Sequence, residues 1–299
     1  MSKPRIGFIG IGAMGEPMAA CLIKAGYPVQ VFDVRTQRIS EFVSSHGGSG
    51  GASLAQVGEN SDVVILILPN SAIDSDVLFG ENGMAAKLRA GTMVVDMTSG
   101  VPAITVSLSQ RLSEQGVVLF DAPVSGGVAR ALTGKLTIMA GGDDVIVDSV
   151  RPVLEAMGSV IKTGGVGTGH AMKALNNLVS SAGFLVGIEA LLIGSRFGID
   201  PETMVDILNV STGMNNSTQK KFKQYVLSRK FDSGFALGLM VKDLTIALGI
   251  ARDVDVSAPF SGLCRDLWAG ASAVLGPKAD HTAVTLLCEK LAGAQISGK

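Results

Sequence analysis

Three stretches of the 299-residue chain combine residue types and spacings that suit chemistry. The first is Gly10-Ile11-Gly12-Ala13-Met14-Gly15, directly after a short apolar run. Gly10 permits a tight turn, and Gly12 removes a side chain where a pyrophosphate must approach. Gly15 lets the following helix pack closely on the strand. The N-terminus of that helix then offers unpaired N–H groups and the positive end of its dipole. Asp33 stands 18 residues after Gly15, closing the next apolar run, where an acid hydrogen-bonds the ribose hydroxyls of NAD. The same carboxylate repels the extra phosphate of NADP, so the pattern favours NAD. Arg35 leaves NADP possible, since an arginine there can pair with that phosphate; it is otherwise a solvated charge at a helix start.

The second stretch is Asp121-Ala122-Pro123-Val124-Ser125-Gly126-Gly127. Gly126 and Gly127 expose backbone N–H groups and Ser125 adds a hydroxyl, a set able to hold a carboxylate, although such a loop is also an ordinary turn. The third runs from Gly167 through Lys173 to Asn176 and Asn177. Lys173 and Asn177 are one helical turn apart on the same face. Met172, Ala174 and Leu175 around the lysine favour partial desolvation; the bland reading is a lysine whose stem packs on a domain seam. Two further loops follow apolar runs: Leu68-Pro69-Asn70, and Asp96-Met97-Thr98-Ser99-Gly100. Thr98 and Ser99 could contact cofactor or substrate, or Ser99 could simply start the next helix.

These residues need a scaffold, and the first half supplies an alternating one. Arg5–Ile9, Val29–Asp33, Val63–Leu68, Thr92–Met97, Val117–Ala122 and Leu136–Ala140 read as strands. Val63–Leu68 is apolar throughout, as expected of a strand buried on both faces. Helical stretches such as Ala13–Ala25 and Pro102–Gln115 separate them, which predicts a mostly parallel sheet covered on both sides. After the glycine cluster at Gly164, Gly165, Gly167 and Gly169 the strand signal fades. Gly167–Phe197 reads as one long helix, capped by Gly198. Pro201–Val210, Ser217–Leu227, Leu237–Val254 and Pro259–Leu275 follow as further helices. The expected architecture is an α/β Rossmann dinucleotide-binding domain over residues 1–163, then an all-α domain over 164–299 built on the long interdomain helix.

Composition narrows the function. The net charge of −1, without a block of Lys or Arg, argues against nucleic acid or a membrane surface as partner. Cys21, Cys264 and Cys288 are too scattered for a disulfide framework, and with His46, His170 and His281 they show no metal-ligand spacing. No metal is expected. The apolar stretch 178–194 has nearly the length of a membrane span, but Glu189 and several Ser and Gly residues interrupt it, which favours a buried helix. The start of the chain runs into a strand without a signal peptide, so a cytoplasmic location is expected.

Taken end to end, the chain resembles the β-hydroxyacid dehydrogenases, the family of 3-hydroxyisobutyrate dehydrogenase and tartronate semialdehyde reductase. The resemblance rests on GFIGIGAMGEPM near the start, DAPVSGG at 121–127, GTGHAMKALNN at 167–177 and MVKDL at 240–244. It implies a Rossmann domain joined to a helical domain, with the active site in the cleft between them, and a homodimer or homotetramer. It further implies that Lys173 is the catalytic acid/base. Ser125, Gly126 and Gly127 then hold the carboxylate of a small carboxylic acid substrate, with Asn176 and Asn177 beside it. Gly10, Ile11, Gly12, Ala13, Met14, Gly15, Asp33, Arg35, Leu68, Pro69, Ser99 and Lys242 become cofactor contacts, Lys242 near the nicotinamide. A 3-hydroxy acid would lose hydride to the nicotinamide while Lys173 takes the hydroxyl proton, and the reverse would reduce a semialdehyde. The stretch 211–217 departs from the family members and is expected to shape the substrate pocket. An inactive dinucleotide-binding scaffold and an imine reductase share the fold, but both replace the lysine found here at 173.

Overall fold

Strands form where the apolar runs lie. The computed structural model describes residues 3–296. It contains β1 (Ile6–Ile9), β2 (Val29–Phe32), β3 (Ser49–Gly50), β4 (Val63–Leu66), β5 (Met93–Asp96), β6 (Val118–Asp121), β7 (Val124–Ser125), β8 (Leu136–Gly141) and β9 (Gly158–Gly164). Their order across the sheet is β3-β2-β1-β4-β5-β6-β8-β7, with β9 paired to β8. Every pairing from β3 to β6 is parallel. β8 runs antiparallel to β6 and β7 and parallel to β9. The 3-2-1-4-5-6 order is that of a doubly wound dinucleotide-binding sheet, whose switch point lies between β1 and β4.

Helices cover both faces of the sheet: α1 (Gly15–Lys24), α2 (Thr36–His46), α3 (Leu54–Asn60), α4 (Ser71–Phe79), α5 (Pro102–Ser113), α6 (Gly127–Ala131) and α7 (Asp144–Glu155). Side chains alternate between the faces, as strand geometry requires. Phe8, Val31, Ile65 and Phe120 pack with Met18 and Leu22 of α1, Phe42 of α2 and Val150 of α7. Ile9, Val64, Leu66 and Val94 pack on the other side with Val57, Leu78, Leu108 and Leu112. All four residues of β4 are fully buried, as a strand covered on both faces must be.

The chain divides into two compact units, Met1–Lys173 and Ala174–Lys299. The second is helical: α8 (Thr168–Phe197, which opens in the first unit), α9 (Pro201–Asn209), α10 (Asn216–Lys220), a π-helical turn at Phe222–Leu227, α11 (Leu237–Asp253), α12 (Pro259–Leu275) and α13 (Val284–Ala292). Phe184, Ile188 and Leu191 of α8 pack against Phe222, Leu244 and Trp268. α8 is long and apolar enough to cross a membrane by length and composition. Its buried stripe in the helical core and the exposed Glu189 fit a core helix instead. Asp200 caps α9 by accepting a hydrogen bond from the Thr203 N–H at 2.9 Å.

Candidate active site

The glycine loop sits at the switch point. Gly10 follows β1 with φ +95, and a Cβ there would collide with the carbonyl oxygen of Ile67, just after β4. A Cβ at Gly15 would collide with the Gly10 carbonyl oxygen. Gly12 differs: apart from its chain neighbours, a Cβ there would meet no described atom within 4 Å. Two glycines therefore close the turn, and the third leaves an open approach to the start of α1. The Met14 side chain makes no capping hydrogen bond there, which suits a phosphate seat at a helix N-terminus.

Asp33 follows β2 and is 7% exposed. It accepts hydrogen bonds from the Ile11 N–H at 3.2 Å and the Arg35 N–H at 3.0 Å. The Arg35 guanidinium folds back onto the same carboxylate, with Nε at 3.0 Å. Burial pushes this carboxyl upward, but the hydrogen bonds and charge of Arg35, with the Ile11 N–H, outweigh it and hold it below the ordinary aspartate value. Asp33 thus ties β2 to the glycine loop, and Arg35 is engaged with Asp33. Sequence reasoning missed Arg38, which donates to the Ile11 carbonyl oxygen at 3.0 Å and to Glu16 at 2.6 Å. Its position in the first turn of α2 was the available signal.

The loops after β4 and β5 are bound together. The Leu68 N–H donates to Thr98 Oγ1 at 3.0 Å, and that hydroxyl donates to Asp74 at 2.8 Å. The Thr98 N–H donates to Asp96 at 3.0 Å. Thr98 is fully buried and its hydroxyl serves this internal chain, whereas Ser99 is half-buried. Ser99 does not start the following helix: α5 begins at Pro102, with Val101 as its N-cap. Pro69 lies beside Leu68 in the loop after β4.

Ser125 ends β7, and Gly126 and Gly127 have φ +132 and +68, conformations that favour glycine. Apart from its chain neighbours and its own helix, no described atom lies within 4 Å of where a Gly127 Cβ would stand. Arg130, the arginine near this loop, is not simply solvated: its Nε donates to the Lys135 carbonyl oxygen at 2.6 Å. The Asp121 carboxylate turns the other way. It accepts from the N–H groups of Gly167 and His170, each at 2.6 Å. Burial raises its pKa above the ordinary aspartate value, against the opposing pull of His170 and these donors.

Lys173 lies in the second turn of α8 and is 9% exposed. In the helical unit, Asn177 Nδ2 donates to Asp243 at 2.6 Å and its Oδ1 accepts from Asn176 Nδ2 at 3.1 Å. Lys242 Nζ is 3.6 Å from Asp243 Oδ1. Asp243, 2% exposed, thereby gathers Asn177 and Lys242, a role sequence reasoning did not assign. An acid directly after Lys242 in an apolar helical stretch was the signal for it.

Known proteins match along the whole chain. Residues 5–167 match the family described as the NAD binding domain of 6-phosphogluconate dehydrogenase. Residues 167–288 match that of NAD-binding of NADP-dependent 3-hydroxyisobutyrate dehydrogenase. The 2-(hydroxymethyl)glutarate dehydrogenase of Eubacterium barkeri is 35% identical over 98% of both chains. The 2-hydroxy-3-oxopropionate reductase of Escherichia coli is 32% identical, over 98% of this chain and 100% of its own. The 3-hydroxyisobutyrate dehydrogenase of Mycobacterium tuberculosis, solved with L-serine, superposes with a TM-score of 0.88 at 28% identity. That match covers 96% of this chain and 99% of the other.

Proposed function

We propose a division of catalytic labour for this chain, which belongs to the β-hydroxyacid dehydrogenase family. It is an NAD(P)-dependent oxidoreductase of small hydroxy acids or their semialdehydes. The glycine loop fits a dinucleotide, because Gly12 leaves open space at the head of α1 and Asp33 stands ready at the end of β2. Gly10 through Gly15, Asp33 and Arg35, Leu68, Pro69, Ser99 and Lys242 are the residues we assign to hold it. When bound, the nicotinamide accepts or returns a hydride.

Lys173 is the general acid/base. In oxidation it takes the proton of the substrate hydroxyl; in reduction it gives a proton to the forming alkoxide. Ser125 and the N–H groups of Gly126 and Gly127 bind the substrate carboxylate. Asn177, held by Asp243, keeps a second amide N–H for the substrate, and Asn176 flanks it. The observation that carries this reading is the nearly complete burial of Lys173 one helical turn before an asparagine whose orientation is fixed.

NAD is the preferred cofactor, because Arg35 is engaged with Asp33 and their carboxylate would face the extra phosphate of NADP. The substrate is a small unphosphorylated 3-hydroxy acid or its semialdehyde, since a phosphate favours clustered arginines and Arg130 is tied to Lys135. A panel of short hydroxy acids, semialdehydes and phosphorylated sugar acids, followed at the NADH absorbance with both cofactors, tests this. Preference for a phosphorylated acid would overturn it.

The protein works as a homodimer or homotetramer in the cytoplasm. Val179, Val186, Ile193 and Phe197 form an exposed apolar stripe along α8 that a second copy can cover. Cys21, Cys264 and Cys288 are free thiols, compatible with a reducing compartment. Light scattering after gel filtration checks the assembly; a monomer at micromolar concentration would refute it.

A further inference from the structure

We propose that Asp121 and His170 are positioning residues that set Lys173, an inference resting on the assignment of Lys173 as acid/base. Gly167 precedes α8 and has no side chain with which to cap it. The cap comes instead from the end of β6: the two oxygens of Asp121 each take one N–H, from Gly167 at the cap position and from His170 in the first turn. Two glycines let the backbone and this carboxylate pack closely here, with the Gly169 N–H and the Met139 carbonyl oxygen nearer still to the Cβ positions. A Cβ at Gly141 would stand 2.8 Å from Asp121 Oδ1, and one at Gly169 2.8 Å from Asp121 Oδ2.

His170 carries the tie further. Its ring is 1% exposed, Nδ1 lies 2.8 Å from Thr105 Oγ1 on α5, and Nε2 lies 3.9 Å from Asp96 at the end of β5. Thr105 Oγ1 donates to the Val101 carbonyl oxygen at 3.2 Å. The loop that carries Ser99 presses against the same ring: a Cβ at Gly100 would be 2.7 Å from His170 Cε1. One buried histidine thus bears on the cofactor-side loop and on the first turn of α8, three residues before Lys173. Neither Asp121 nor His170 needs to touch the reacting atoms. Their effect is to hold the start of the helix in one place, and a displacement of about 1 Å at a reacting group costs up to about 10²-fold in rate.

The test is a double-mutant cycle. Asp121→Asn presents an amide –NH₂ to one of the two N–H groups and so loses one cap bond. In the otherwise unaltered enzyme we expect kcat to fall about 10- to 100-fold, with KM for NAD within about threefold. In the Lys173→Ala background, measured by single turnover with enzyme in excess, the same substitution should cost less than about threefold. Thr105→Val keeps shape but removes the hydroxyl that meets His170; its cost should be about two- to tenfold, and it decides the matter if Asp121→Asn does not fold. Equal losses in both Lys173 backgrounds would make the role merely structural, and unchanged kcat in folded variants would remove it; either overturns the inference. Full activity of Lys173→Ala itself would instead refute the acid/base assignment.

Discussion

The two units treat buried charge differently. In the α/β unit, carboxylates at strand ends are met by backbone N–H groups: Ile11 and Arg35 on Asp33, Thr98 on Asp96, Gly167 and His170 on Asp121. Strands that stop at one edge of a parallel sheet, beside helix starts, leave donors there. In the helical unit side chains carry more of this load, beside the Gly234, Phe235 and Thr282 N–H groups that meet Asp280. Asn177 pairs with Asp243, and Arg229 grips Glu289 with two bonds at 2.5 and 2.9 Å. At two groups burial outweighs the partners. Burial pulls Lys221 down to about 8 against the pull of Asp280. Burial and the Lys221 charge bring His281 to about 4. The sheet edge is thus a prepared polar surface, whereas the helical core tolerates charge at a cost.

The largest expected effect lies at Lys173, where the α/β unit ends. Lys173→Ala should lower kcat by about 10²–10⁴-fold with NAD affinity retained; a variant keeping more than about a tenth of the activity sinks the assignment. Asp33→Ala comes next and removes the strand-end carboxylate that we assign to the cofactor. The ratio of kcat/KM for NAD over NADP should fall about 10- to 100-fold, the worth of a hydrogen bond to a charged group. An unchanged ratio would mean that the bonds of Asp33 are purely internal. On the helical side, Asp243→Ala strips the partner from Asn177 and should destabilise by about 1–3 kcal/mol in denaturant titration. No change in the midpoint would show that the pair contributes nothing.

The smallest effect is a slope. His281 has a folded pKa below its ordinary value, so as pH falls from 6.5 towards 4 the unfolded chain takes up a proton that the folded chain refuses. Stability should decline over that window, and His281→Gln should flatten the decline in thermal melts. Lys221 has the same sign in a higher window: its depressed pKa of about 8 predicts stability gained as pH rises from about 8 towards 10. If the melting temperature is level across both windows, the helical core is better hydrated than its packing implies.

The same contrast governs what could be read from sequence. β1, β2, β4, β5, β6 and β8 were legible because apolar runs mark strands buried on both faces. β9 was not: Gly158–Gly164 mixes glycines with Ser, Lys and Thr and is half exposed, so pairing with β8, not composition, makes it a strand. β3 and β7 are two residues each and owe their existence to neighbours. The helix expected over Ser217–Leu227 splits into α10 and a π-helical turn, and helical periodicity does not distinguish these. Among site residues, the glycine loop and Asp33 form a local pattern with a local reason. Asp121 and His170 are 49 positions apart, and Asn177 and Asp243 are 66 apart. Only the fold brings either pair together.

The empty space around Gly12 has an experimental consequence. Its φ is outside the left-handed region and a methyl group there meets no neighbour, so alanine at position 12 should fold, express and melt like the parent. Substitution at Gly10 or Gly15 should fail such assays, because each must avoid a backbone carbonyl. A library selected for solubility alone would therefore let position 12 drift while purging changes at the other two. A deep mutational scan read once for abundance and once for turnover would separate the three glycines of one motif into a pair that the fold requires and one that only the ligand requires.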